Sequence, residues 1–178
     1  MKNGTKVLIG SGVVVVLILI WFFGTRNSLV SLKEEVEMQQ SQIETTLQRR
    51  SDLIPNLVAT VKGYANHEEK VFTEIAEARS KLAGSIKSGD MKSISEANDT
   101  LDSALSRLLA ISENYPDLKA SEQFIALQDE LAGTENRISV ARQHYNEKVN
   151  TYNTEVQKFP TSIVAGMSGY YPLQYFEA

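Results

Sequence analysis

Apolar residues fill the start of the chain and then recur at helical spacing almost to its end. Residues 7–23 form an unbroken run of apolar or small side chains without a charge. Lys2 and Lys6 precede this run, and Arg26 is the first charge after it. A helix satisfies its backbone polar groups internally, and about 20 such residues span a bilayer core of about 30 Å. The pattern therefore predicts an N-terminal transmembrane helix, with residues 7–25 in the bilayer.

A cleaved secretory signal is the alternative interpretation of this segment, because its basic start and apolar length also fit one. Residues 24–26 follow the bulky aromatic residues 21–23 and contain no small-x-small cleavage pattern. We therefore favour an uncleaved single-pass anchor in the cell membrane. Lys2 and Lys6 on one side nearly balance Arg26 and Lys33 on the other, so the positive-inside rule leaves the orientation open.

Three stretches behind the anchor repeat apolar residues at spacings of three and four, which is typical of helices that pack along one seam. These stretches are residues 29–82, 94–111 and 124–156. Turn-forming residues at 88–90 and 114–117, together with Gly84, separate them. Pro160 ends the third stretch at Phe159. Strand-like alternation is scarce, so we predict an all-α protein.

Pro55 interrupts the first stretch and decides the predicted topology. A proline inside a helix removes a hydrogen bond and costs about 3 kcal/mol, whereas the first turn tolerates it. With Ser51 or Asp52 as the N-cap, Pro55 would lie in a first turn, so we predict a break or sharp kink near Arg50. A bend there gives three long helices, and a reversal gives four. Since short loops favour antiparallel neighbours, we predict a transmembrane helix followed by an antiparallel up-and-down four-helix bundle.

Composition narrows the class of protein. The predicted regions are the anchor at 1–26, the helical bundle at 27–159 and an aromatic tail at 160–178. After the anchor come 15 basic and 22 acidic residues, a net charge of −7, which argues against nucleic-acid binding. The chain has no cysteine, which excludes disulfides and thiolate metal sites.

No reaction type is indicated by the sequence. Residues 67–70 begin like a zinc-protease helix, but Val71 occupies the position that needs a second imidazole. A di-iron helical bundle needs a Glu three residues before its histidines, and neither His67 nor His144 has one. We therefore predict no catalytic residue, no metal, no cofactor and no enzymatic activity.

Two polar clusters interrupt the apolar seams. The first cluster, at the predicted break, consists of Gln48, Arg49, Arg50, Asp52 and Asn56. The second cluster, in the third stretch, consists of Gln128, Glu130, Thr134, Glu135, Asn136 and Arg137. Facing clusters of this kind can form a hydrogen-bonded network that sets helix register. We favour that role, and the alternative is that one cluster is a binding patch.

The C-terminal tail is rich in aromatic residues. Residues 159–178 hold five of the fourteen aromatics, and disordered tails are poor in them. We favour a tail that folds back over one end of the bundle. The alternative is docking to a partner or to lipid headgroups, for which the candidates are Tyr170, Tyr171, Tyr175 and Phe176.

Several of these segments resemble the bacterial LemA family. The resemblance lies in residues 47–58, 60–68, 127–131 and 134–138, in the pairs Tyr145-Asn146 and Tyr152-Asn153, and in Phe159-Pro160 and 175–178. It implies an N-terminal single-pass anchor and an antiparallel four-helix bundle on the cytoplasmic side. The family has no established enzymatic activity, so the resemblance does not suggest a reaction for this chain.

We favour a membrane-tethered adaptor or scaffold that presents a bundle face to another membrane or envelope protein. The alternative is a self-assembling structural protein whose ordered oligomer shapes or stiffens the bilayer. The predicted partners are the bilayer, through residues 7–25, and another membrane or envelope protein or a second copy of the chain. No nucleic-acid partner is predicted.

Overall fold

A computed structural model describes residues 2–65 and 67–177, and the regular structure among these residues consists of helices. The helices are α1 (Lys2–Lys62), α2 (Glu69–Ser88), α3 (Met91–Ser112), α4 (Pro116–Lys119), α5 (Glu122–Gln157) and α6 (Thr161–Ser168). The predicted all-α fold, with a long apolar N-terminal helix ahead of packed helices, is confirmed. The chain divides into two compact units, and both α1 and α5 contribute to each of them.

The first unit comprises Met1–Met38 and Glu147–Leu173. By length and composition, α1 is the one helix among the described residues that is long and apolar enough to cross a membrane. Its apolar side chains from Leu8 to Ile20 are exposed on all sides. Leu29 and Val36 further along are fully buried. From Leu29 onward α1 therefore packs one of its faces, whereas its apolar start is exposed on all sides.

The second unit comprises Gln39–Asn146 and Gln174–Ala178. Its helices are the last part of α1, all of α2, α3 and the short α4, and the first part of α5. Gln40 Nε2 donates to the carbonyl oxygen of Gly89 at 3.1 Å, and Arg79 Nε donates to that of Ser51 at 3.0 Å. The earlier residue of α1, Gln40, contacts the end of α2, and the later residue, Ser51, contacts the middle of α2. These two helices are therefore antiparallel.

The turn between α2 and α3 lies where the sequence predicted it. Gly89 ends α2 with φ at 68°, a left-handed conformation that glycine adopts without a Cβ clash. Asp90 caps α3, because its carboxylate accepts the backbone N–H of Ser93 at 3.0 Å. Hydrogen bonds from the Ser93 side chain and backbone lower the pKa of Asp90. Gly84, by contrast, lies inside α2.

The predicted break near Arg50 is wrong, because α1 continues through Pro55 to Lys62. Proline donates no hydrogen bond, so the carbonyl of Ser51, four residues earlier, loses its partner within the helix. Arg79 of α2 replaces that partner, with its Nε 3.0 Å from the Ser51 carbonyl oxygen and 3.2 Å from Ser51 Oγ. The chain reverses after Lys62 instead, which still gives four main helices. Tyr64, which belongs to the first apolar stretch, therefore lies in the turn and is exposed.

We expect Arg79→Met to lower the free energy of unfolding by about 1–3 kcal/mol, because it leaves the buried Ser51 carbonyl without a donor. In a Pro55→Ala background the restored backbone N–H at position 55 can serve that carbonyl, so the same change should cost less. Denaturation of the four proteins in this double-mutant cycle measures the difference. If Arg79→Met lowered the free energy of unfolding equally with proline and with alanine at position 55, Arg79 would not compensate for Pro55.

Candidate functional site

Arg50 is the buried centre of the polar residues in the second unit, with 8% of its side chain exposed. Its Nη1 lies 2.8 Å from Glu135 Oε2 on α5 and donates to Asn98 Oδ1 on α3 at 3.2 Å. Asp102 meets the same guanidinium as an ion pair rather than as a well-aligned hydrogen bond. Asn98 Nδ2 donates to Asp102 Oδ2 at 3.0 Å. One cation therefore connects α1, α3 and α5.

Helical spacing places Arg50 in the core. It follows Leu47 by three residues and precedes Ile54 by four, and both neighbours are fully buried. A guanidinium at such a position is costly unless charged or polar groups pair with it. Asn98 occupies the matching position on α3, four residues after Ile94, and it is also buried. Asn98 and Asp102 were not among the residues predicted from the sequence, although a polar residue in an apolar seam is a signal that indicates Asn98.

The structure brings parts of the two predicted polar clusters together. Arg50 pairs with Glu135, and Arg49 Nη2 lies 2.8 Å from Glu130 Oε1 on the surface. Gln48 Nε2 donates to Asp52 Oδ1 at 2.8 Å within α1, so this pair stays local.

The remaining members of these clusters lie elsewhere. Thr134 is fully buried, and its hydroxyl donates to the Leu131 carbonyl at 2.7 Å within α5. Asn56, Asn136 and Arg137 are exposed. Gln128 lines the cavity described next.

An open cavity of about 610 Å³ lies beside Arg50, between α1, α3 and α5. We call it the Arg50 groove; its lining is Arg50, Leu57, Asp102, Leu105, Ser106, Leu109, Gln128, Asp129, Leu131, Ala132 and Glu135. Three carboxylates face one guanidinium in this lining, so its net charge is negative. Arg50 Nε is buried and has no hydrogen-bond partner in the described part of the chain. The groove thus offers apolar walls and an acidic rim beside a buried guanidinium.

In the second unit, side chains of α5 and α3 hold the end of the tail. Asn146 Nδ2 donates to the Phe176 carbonyl at 3.0 Å, and Asn146 Oδ1 accepts the Phe176 N–H at 2.9 Å. The Tyr145 hydroxyl donates to the Gln174 carbonyl at 2.9 Å, and the Ser95 hydroxyl donates to the carbonyl of Glu177. Burial raises the pKa of Tyr145 to about 12, so its phenol remains a neutral donor at physiological pH. Phe176 is only 3% exposed.

In the first unit, Asn153 makes the same two-way pairing with Leu173. Its Nδ2 donates to the Leu173 carbonyl at 2.8 Å, and its Oδ1 accepts the Leu173 N–H at 2.7 Å. Burial, and then the nearby Tyr170, raise the pKa of Tyr152. Of the other predicted tail residues, Tyr170 is half-buried, while Tyr171 and Tyr175 are exposed. The asparagine of each Tyr-Asn pair therefore recognises tail backbone.

Within residues 2–65 and 67–177 we find no group of three or more His, Asp or Glu side chains arranged to hold a metal ion. In the Arg50 groove, Arg50 pairs across helices with Asp102 and Glu135.

Comparison with known proteins gives the same family as the sequence motifs. The model of the LemA family matches residues 39–178. Magnetosome protein MamQ 2 of Paramagnetospirillum magneticum is 27% identical over 176 residues, which cover 85% of this chain and 64% of that protein. Protein LemA of Metamycoplasma hominis is 28% identical over 157 residues, which cover 88% of this chain and 71% of that protein.

The chain spans slightly less than two thirds of the length of the MamQ proteins that it matches. The family match includes every residue from Gln39 to the end of the sequence. This chain belongs to the LemA family.

Proposed function

We propose that this protein is a membrane-tethered adaptor or scaffold, without catalysis, whose Arg50 groove binds a segment of another membrane or envelope protein. The observation that carries the proposal is the groove itself: an open apolar cavity of about 610 Å³ that ends at a buried and incompletely paired guanidinium. The names of its relatives describe no enzymatic activity, which supports a role in binding. The bundle faces the cytoplasm, as the family resemblance implies.

The lining of the Arg50 groove defines the chemistry of its occupant. Leu57, Leu105 and Leu131 favour an apolar side chain, whose full burial contributes about 1.5–3 kcal/mol. The excess of carboxylates at Asp102, Asp129 and Glu135 favours a basic residue beside that anchor. We therefore infer a partner segment that carries a leucine or phenylalanine next to a lysine or arginine.

The membrane anchor contributes to the same function. A transmembrane partner and this protein move in one plane, which raises their effective concentration relative to soluble proteins. A single groove with modest intrinsic affinity then suffices for specific capture. The Arg50 network contributes by fixing the register of the helices that form the groove walls, as buried polar groups do in coiled coils.

Site-specific crosslinking in intact cells tests the proposal. A photocrosslinking amino acid at Ala132, an exposed residue of the groove wall, should capture one dominant other protein. The crosslinked peptide should contain an apolar residue beside a basic one. The same probe at Ala126, which is exposed on α5 outside the groove lining, is the matched control and should not capture that protein.

Charge reversal provides a second arm of the test. Asp129→Lys should reduce capture at Ala132 severalfold, because it removes an attractive charge and adds a repulsive one at the rim. Glu96→Lys places the same change on an exposed position of α3 away from the groove and should leave capture unchanged. Equal capture by the two variants would contradict the groove as the binding site. A ladder of multiples of this chain alone would favour self-assembly instead.

A further inference from the structure

The helix α6 exposes an apolar face. Phe159, just before α6, is 78% exposed, and Ile163 and Met167 follow at intervals of four residues, with Met167 73% exposed. Val164 and Ala165 on the other side of α6 are buried. The sequence from 159 to 176 contains no charged residue. Water-soluble surfaces rarely present such a patch, and its presence indicates a site of contact.

The direction of α5 in the first unit determines where α6 begins. Lys148 Nζ lies 2.6 Å from Glu35 Oε2 and joins α5 to α1. Leu29, six residues before Glu35, is fully buried. Within this unit α1 reaches only to Met38, so α5 can cover Leu29 only if it runs antiparallel to α1.

The end of α5 therefore lies at the end of the anchor. At about 1.5 Å per residue, Gln157, nine residues after Lys148, is level with Arg26, nine residues before Glu35. Arg26 is the first charge after the apolar run. Phe22 and Thr25 are half-buried at this level while their neighbours are exposed, so one side of α1 is covered there. The segment that contains α6 starts beside the aromatic end of the anchor.

We propose that Phe159, Ile163 and Met167 insert into the headgroup boundary of the bilayer and form a second membrane contact beside the anchor. The occupant of this face is lipid, because the face begins at the same level as the end of the lipid-exposed anchor and carries no charge. Aromatic residues favour this boundary, and Trp21, Phe22 and Phe23 occupy it on α1. An eight-residue helix binds membranes weakly alone, but the anchor holds α6 at the surface.

This contact would give the first unit a fixed distance and tilt relative to the membrane. A single transmembrane helix leaves the attached helices free to tilt, since tilt is set by neighbouring contacts and interfacial anchors. Two contacts with the bilayer fix the tilt of the first unit and the face that it turns toward the membrane. The inference requires membrane anchoring but not the partner of the Arg50 groove, so the crosslinking test and the following test can fail independently.

Fluorescence of the full chain in phosphatidylcholine–phosphatidylglycerol vesicles tests this contact. The chain has no cysteine, so Met167→Cys and Thr151→Cys each provide one labelling site for an environment-sensitive dye. Thr151 is an exposed residue of α5 in the same unit. The probe at position 167 should emit at shorter wavelength and be quenched severalfold more strongly by lipids spin-labelled near the headgroup than the probe at 151. Equal, weak quenching at both positions would overturn the proposal.

A second variant separates lipid from protein contact. With the dye at Phe159→Cys, the substitutions Ile163→Ser and Met167→Ser should abolish the quenching by spin-labelled lipid. Both side chains are exposed, so circular dichroism should show an unchanged helix content. A short-wavelength probe at 167 that lipid does not quench would place this face against a second copy of the chain and overturn the lipid assignment.

Discussion

Replacing Arg50 with alanine is expected to lower the free energy of unfolding by about 3 kcal/mol, whereas Arg49→Ala, one residue earlier, should lower it by less than about 1 kcal/mol. The two arginines differ in burial: 8% of the Arg50 side chain is exposed and 56% of the Arg49 side chain. Removal of Arg50 leaves Asp102, Glu135 and Asn98 without their shared donor. Because Glu135 is exposed and can regain water, we expect the lower end of the range for a broken buried pair.

Denaturation of the full chain in non-denaturing detergent, followed by circular dichroism, measures both arginine variants. The adjacent Arg49 controls for loss of charge and of helix propensity. Arg50→Met combined with Asp102→Leu should recover much of the loss, since apolar replacement of both partners of a buried pair is often neutral. Equal small effects of Arg49→Ala and Arg50→Ala would contradict a buried network.

The second large effect is expected for Phe176→Ala, which should lower the free energy of docking of the tail end by about 3 kcal/mol. Phe176 is 3% exposed, and its backbone N–H and carbonyl both pair with Asn146. Since the residue lies near the chain end, the loss should appear as local opening before the helices unfold. Faster hydrogen exchange of the Phe176 amide and faster proteolysis of the tail would report it.

Phe159→Ala is the matched control for the tail, because the same side chain is 78% exposed there. In detergent-solubilised protein, where no bilayer contact is made, it should change the exchange rate of the Phe176 amide by little, since exposed substitutions usually stay within about 0.5 kcal/mol. If the two phenylalanine variants opened the tail equally, the burial of Phe176 would not be what holds it.

Much of the fold could be predicted from the spacing of apolar residues. Leu47, Ile54 and Leu57 in α1 and Tyr145 and Tyr152 in α5 are buried, as their seam positions predict. The turns at 88–90 and 114–117 separate helices as expected. The site was predicted in part: Arg50 and Glu135 were both candidates, but their link through Asn98 and Asp102 was not.

The sequence by itself determined the helical character of the chain, the turns on either side of α3, the end of α5 and the faces that the long helices bury. These features depend on residues within one or two turns, where the helical period, a cap such as Asp90 or a glycine such as Gly89 acts locally. The apolar run at 7–23 is likewise complete in the sequence, and it indicates a membrane span before any packing is known.

Only the tertiary structure decided how the polar residues are partnered. Pro55 stays inside a helix because Arg79, which lies 28 positions after Ser51, supplies the missing donor. Arg50 donates a hydrogen bond to Asn98, which lies 48 positions later in the sequence. Phe176 of the tail pairs with Asn146, which lies 30 positions earlier. Such pairings depend on how whole helices pack, and the local pattern that forms each helix carries little information about which distant side chain will meet it. The same packing leaves the Arg50 groove open and the face of α6 uncovered.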